Sequence, residues 1–131
     1  MSNETDLALP SKAKLWSGYL LSAAPAAMLL MSGIMKLVQP PMLVEGFADL
    51  GWPIGVATAL GVVEIGCVVL YAIPKTSVLG AILLTGYLGG AIATHVRIND
   101  GFLIPVILGI VIWLGLYLRD IKLRELIPIR S

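Results

Sequence analysis

The sequence predicts an all-α integral membrane protein: an up-down four-helix bundle with a short interfacial helix between spans one and two. Three observations predict it. Hydrophobic residues make up 58% of the 131-residue chain and charged residues only 13%, against about 45–50% and about 25% in soluble domains. Four apolar runs of membrane length follow one another, at about residues 15–36, 54–73, 78–96 and 102–118. The links between successive runs are too short for anything but antiparallel neighbours. A soluble domain of this size could not hide so much apolar surface, whereas lipid accepts it.

Residues 1–13 are a polar tail carrying Glu4, Asp6, Pro10 and Lys12. The transmembrane domain covers residues 14–119. Span one opens near Leu15 and closes at Lys36. Its apolar stretch has no small-residue cleavage site after a short hydrophobic segment, so it reads as a retained helix and not as a signal peptide. Pro25 near its middle removes one backbone hydrogen bond and predicts a kink. Gln39-Pro40-Pro41 ends the helix. In residues 42–50, Met42, Leu43, Phe47 and Leu50 fall on one helical face and Glu45 and Asp49 on the other. That is the pattern of a short amphipathic helix at the interface, weakened by Gly46. The Gly51-Trp52-Pro53 turn sets an indole at headgroup depth.

Span two ends at Pro74-Lys75-Thr76-Ser77, where Thr76 or Ser77 is expected to cap the next helix. Span three ends at a turn, Asn99-Asp100-Gly101. Span four has Pro105 in its first turn, where proline is tolerated. At about 17 residues it is the shortest, near the lower limit for crossing. Residues 120–131 form a basic tail expected on the membrane surface. Lys12, Lys14, Lys75, Arg119, Lys122, Arg124 and Arg130 fall on one side of the spans, and Lys36 and Arg97 on the other. This asymmetry puts both termini in the cytoplasm and the protein in the cell (inner) membrane.

A net charge of +1 makes no case for nucleic acid. The single cysteine, Cys67, rules out an internal disulfide and a CxxC pair and reads as a small packing residue. With one histidine, His95, no metal site is expected, nor any covalently held cofactor. Trp16, Tyr19, Trp113 and Tyr117 read as interface anchors. Span three is rich in small residues. Gly86 and Gly90 are four apart, and Thr85, Gly89 and Ala93 form a second line; both lines permit close helix approach. Gly86, Gly89 and Gly90 are therefore expected to pack helices within the chain, with Gly55, Gly61, Gly66, Ala23, Ala26 and Ala27 as opposing surfaces, or to form a homodimer face.

Glu64 is the residue that demands explanation. It lies about ten residues from either end of span two, near the bilayer midplane. An ionised side chain there costs about 2.5–3.5 kcal/mol if it faces lipid, so Glu64 should turn inward and be either protonated or partnered. Its helical face carries Ala57, Leu60, Gly61, Cys67, Val68 and Tyr71. The plain reading is a neutral acid bonded to Ser32, Thr85 or Tyr87. The functional reading is a polar centre at the base of a pocket. Lys36, Glu45, Asp49, His95 and Arg97 gather at one membrane face and would form its polar mouth. Taken singly, Lys36 could snorkel and His95 could cap span three.

One series of residues is familiar. Ser32-Gly33 and Lys36-Leu37 close span one; Phe47 and Leu50-Gly51-Trp52-Pro53 follow, then Gly61 with Glu64. Pro74-Lys75-Thr76, Leu79-Gly80-Ala81, Gly86-Tyr87, Gly90-Ala91 and Thr94-His95-Val96-Arg97 come next, and Trp113 with Leu118-Arg119-Asp120 ends the series. In order and spacing it resembles the DoxX-like family of small four-helix membrane proteins, over about residues 15–122. Among such relatives are subunits of a thiosulfate:quinone oxidoreductase, proteins of membrane thiol and superoxide defence, and a distant animal receptor-assembly chaperone. The resemblance places the family's recurrent polar residues on Lys36, Glu64, His95 and Arg97.

The resemblance and the midplane carboxylate together imply a quinone- or lipid-binding accessory subunit of a membrane oxidoreductase system, more readily than a free-standing enzyme. Glu64 would be the proton donor or acceptor, and Lys36, Tyr87, His95 and Arg97 would contact the ligand. A bound quinone or a redox partner protein would have to carry the electrons, since the chain has no second cysteine or histidine. Two alternatives come from other classes. One is a small proton-coupled transporter working as a dimer; the other is a non-catalytic assembly factor that binds membrane proteins through its small-residue faces.

Overall fold

The computed structural model describes residues 11–129. The polar tail expected at residues 1–13 therefore lies mostly outside the described residues, as does Arg130. Among the described residues six α-helices form: α1 (Lys12–Val38), α2 (Pro41–Leu50), α3 (Ala57–Ala72), α4 (Ser77–Arg97), α5 (Leu103–Arg119) and α6 (Ile121–Leu126). Short 3-10 turns at Ile54–Val56 and Pro74–Thr76 lead into α3 and α4. Among the described residues there is no strand.

Ser11 opens α1, its hydroxyl accepting from the Lys14 amide at 3.2 Å, so the helix starts before the apolar run does. The helix continues through Pro25, which is buried, and stops where Gln39 takes a left-handed conformation ahead of Pro40-Pro41. In α2 the inward face is Leu43, Gly46, Phe47 and Leu50, with helical spacing of three and four. Met42, expected on that face, is instead 73% exposed. Thr76 and Ser77 do not cap α4 with their side chains. Their hydroxyls turn back and donate to the Leu70 and Tyr71 carbonyls, at 2.7 and 2.9 Å. These carbonyls lie in the last turn of α3, where the helix itself supplies no partner. The tail contributes a sixth helix, capped by Asp120, whose side chain accepts from the Leu123 amide. Leu123 is buried against the core, which also holds Leu29, Cys67, Tyr71, Leu84 and Ile112.

Helix α1 packs against α3 and α5, and α4 packs against the same two. Contacts rise along one helix as they fall along its neighbour: Gly33 meets Gly61, and Ser22 meets Tyr71. Glycines let the helices approach closely, Gly80 and Gly61 among them. A Cβ at Gly80 would stand 2.2 Å from the Tyr71 backbone nitrogen, and one at Gly61 would stand 2.8 Å from the Gly33 carbonyl oxygen. The close approach expected at Gly86, Gly89 and Gly90 is absent among the described residues: a Cβ at any of them would meet nothing within 4 Å. Small residues permit a neighbour to approach, but α4 meets its neighbours mainly through the faces of Gly80, Leu84 and Leu88.

Large apolar side chains cover the outside, among them Leu20, Met31, Val62, Ile82, Ile104 and Ile110. Three helical stretches, Lys12–Val38, Ile54–Ala72 and Pro74–Arg97, are long and apolar enough to cross a membrane. Helix α5 is apolar but has 17 residues, about 26 Å of helix.

Candidate functional site

The site begins with a helical spacing. Ser32 and Lys36, four apart on α1, stand one above the other, and both face the middle of α3, where Glu64 is only 1% exposed. The close contact at Gly33 and Gly61 draws the two helices together one turn away. Tyr87 arrives from α4. Three donors converge on one carboxylate oxygen of Glu64, Oε2: Lys36 Nζ at 2.7 Å, the Tyr87 hydroxyl at 3.0 Å and the Ser32 hydroxyl at 3.3 Å. Lys36 Nζ also donates to Ser32 Oγ at 2.7 Å and lies 5.9 Å from the centre of the Tyr87 ring.

A buried carboxylate without a partner would be strongly destabilising; here the ammonium offsets its charge and two hydroxyls add to the hydrogen bonding at Oε2. Among the described residues no donor reaches the second oxygen, Oε1. Glu64 also lines a cavity of about 600 Å³. Its walls are apolar, with Leu29, Leu60, Leu88, Ile104 and Leu108, and α2 roofs it with Leu43, Phe47 and Leu50. Its polar groups are few and gathered: Ser32, Lys36, Glu64 and Tyr87, with Thr94 and His95 farther along α4.

His95 Nδ1 lies 2.7 Å from the Ala91 carbonyl oxygen. A carbonyl can only accept, so Nδ1 carries the proton and Nε2 is left as the other ring position for a ligand. Lys36, Glu64, Tyr87 and His95 thus line one space. Arg97 does not join them. Its guanidinium donates to the Leu50 carbonyl and lies beside Gly51, where Arg97 ties the end of α2 to the end of α4. Trp52 adds a second tie, donating to Thr94 Oγ1 at 3.4 Å. Glu45 and Asp49 are exposed on the outer face of α2 and do not line the cavity. Gly86 and Gly90 do line it, and Gly89 does not.

Sequence reasoning named Ser32 and Tyr87 as partners for Glu64 but not Lys36, and Thr85 is engaged elsewhere, with Ala81 and Trp113. The roof was also missed, although the spacing of Leu43, Gly46, Phe47 and Leu50 carried the signal. Among the described residues no group of His, Cys, Asp or Glu could hold a metal ion.

Comparison with known proteins identifies a family. No curated protein and no solved structure matches the chain. The model of the DoxX-like family matches residues 20–115, the stretch that contains Ser32, Lys36, Glu64, Tyr87 and His95. The chain therefore belongs to the DoxX-like family and is a membrane protein built of apolar helices.

Proposed function

We propose that this protein is a ligand-binding accessory subunit of a membrane oxidoreductase system, and that the cavity between α1, α3, α4 and the α2 roof takes the head of a quinone or quinone-like lipid. In this reading α1, α3, α4 and α5 cross the cell (inner) membrane as an up-down four-helix bundle, with both termini cytoplasmic. One observation carries the proposal: a single buried carboxylate, held by an ammonium and two hydroxyls, lies at the base of an otherwise apolar cavity. Its volume is in the usual range for small-molecule sites, about 300–1,000 Å³.

The polar set fits such a head group. Lys36, with one N–H beyond its bonds to Ser32 and Glu64, offers a donor to a carbonyl oxygen, neutral His95 offers an acceptor at Nε2, and Leu88 and Leu108 suit a flat apolar ring. Glu64 can take or give a proton at Oε1, the oxygen that Ser32, Lys36 and Tyr87 leave open, and general acid–base catalysis requires that proton within hydrogen-bond reach of the ligand. A quinone, when bound, would supply the two-electron chemistry that no side chain here provides. A redox partner protein would then complete the electron path.

The test is mass spectrometry of gently extracted full-length protein. Wild type should carry close to one quinone or isoprenoid lipid per chain, and Ala91→Leu, which fills the cavity, should lose it. A wild-type protein with neither molecule would overturn the reading.

A further inference from the structure

We propose a second site at the opposite end of the molecule: a phosphate-binding hollow centred on Arg119, separate from the Glu64 cavity. Arg119 is the last residue of α5 and packs beside Gly18, near the start of α1. A Cβ at Gly18 would stand 3.0 Å from Arg119 Cβ, so the glycine makes room for the arginine stem. The guanidinium is then held in a fixed attitude. Its Nε donates to Ser22 Oγ at 2.9 Å, one terminal nitrogen reaches Ser77 Oγ at 3.5 Å, and the other reaches the Tyr71 carbonyl at 3.4 Å. Its carbon lies 5.2 Å from the centre of the Tyr71 ring. That ring is immobilised in turn: Tyr71 is fully buried and donates to the Ile112 carbonyl at 2.7 Å.

Every partner of this cation is neutral. Among the described residues the single ion pair is Lys36 with Glu64, so neither Arg119 nor Lys122 has a carboxylate within 4.0 Å. Asp120 lines the same hollow, but its Oδ1 accepts from the Leu123 amide as the cap of α6. The two terminal contacts of Arg119 are long for hydrogen bonds, and a guanidinium carries five N–H groups. Donors therefore remain for an anion. The hollow beside them has a volume of about 330 Å³ and is lined by Tyr19, Ser77, Arg119 and Lys122, among others. Two cations, a hydroxyl and a planar fork suit a tetrahedral oxyanion with bidentate geometry. Since Arg119 ends an apolar helix, the phosphate is that of an anionic lipid headgroup or a free phosphate; the chemistry is common to both.

Native mass spectrometry of delipidated full-length protein, offered phosphatidylglycerol or phosphatidylcholine, tests the site. The anionic lipid should be retained about tenfold better than the zwitterionic one. Arg119→Lys should remove about tenfold of that retention, because an ammonium lacks the fork. Lys122 is exposed and its loss should leave the fold intact, so Lys122→Gln guards against misfolding of the arginine variant; it should weaken retention about threefold. Lys14→Gln removes the same charge at the same end but outside the hollow and should change nothing. If inorganic phosphate at constant ionic strength raises the melting temperature of wild type more than that of Lys122→Gln, the site also takes the free anion. Equal retention of both lipids with no phosphate effect would overturn the proposal. So would equal losses in Lys14→Gln and Lys122→Gln, which would mean general surface charge.

Discussion

At one end of the molecule Lys36 meets Glu64 at 2.7 Å beside a cavity of about 600 Å³. At the other, Arg119 meets hydroxyls and a carbonyl beside a hollow of about 330 Å³. Both cations are partly withdrawn from solvent, yet among the described residues only the first has its counter-charge. An internally neutralised pair makes little net demand on an external anion and leaves the cavity free for a neutral, largely apolar guest. A cation held by dipoles alone keeps its full formal charge and favours an incoming anion. The comparison separates two kinds of ligand before either is known, on charge accounting alone.

The largest effect should come from breaking the pair. Lys36→Met leaves a carboxylate that is 1% exposed without its cation, and should destabilise the protein by about 3–5 kcal/mol. Adding Glu64→Gln should restore most of that loss, and a double-mutant cycle in denaturant reads it directly. Additive effects would mean that the two ends hold their charges in the same way. Next in size, Gly80→Ala drives a Cβ to 2.2 Å from the Tyr71 backbone, which cannot yield as a flexible side chain would. About 3 kcal/mol should be lost, and with it the platform under Arg119. Smallest is Gly90→Ala, at a position with nothing within 4 Å; its stability should change by less than about 1 kcal/mol. A large loss there would mean that the space beside Gly90, which lines the cavity, is filled in the membrane by a guest, a second copy of the chain or a partner.

Much of α3 was legible in the sequence because helical periodicity is a local property. Ala57, Gly61, Glu64, Cys67, Val68 and Tyr71, which fall on one face by spacing, are its buried residues. The inward turn of Glu64 followed from the cost of a charge among apolar neighbours. What spacing could not supply was which residue on another helix would answer it. Lys36, near the end of an apolar run, has the pattern of a snorkelling side chain, and only the pinch at Gly33 and Gly61 brings it onto Glu64. The glycines of α4 misled for a related reason. A line of small residues records where approach is allowed, whereas Gly80, which lies outside both lines, is where a neighbour arrives. The Arg119 cluster was invisible in the same way, since Ser22, Tyr71, Ser77 and Arg119 come from different helices and share no motif.

The lone thiol of the chain, Cys67, is buried in the core, and this has a spectroscopic consequence. The surface offers no native thiol to a polar maleimide or a nitroxide reagent. A cysteine introduced at Val44, on the outer side of the roof helix and 40% exposed, would take up a label alone, with the wild-type core untouched. Paired with a second at Ile107, 55% exposed on α5, it gives a molecular ruler across the mouth of the large cavity. The distance distribution from pulsed electron resonance would then report whether the ten-residue roof lifts when a guest enters.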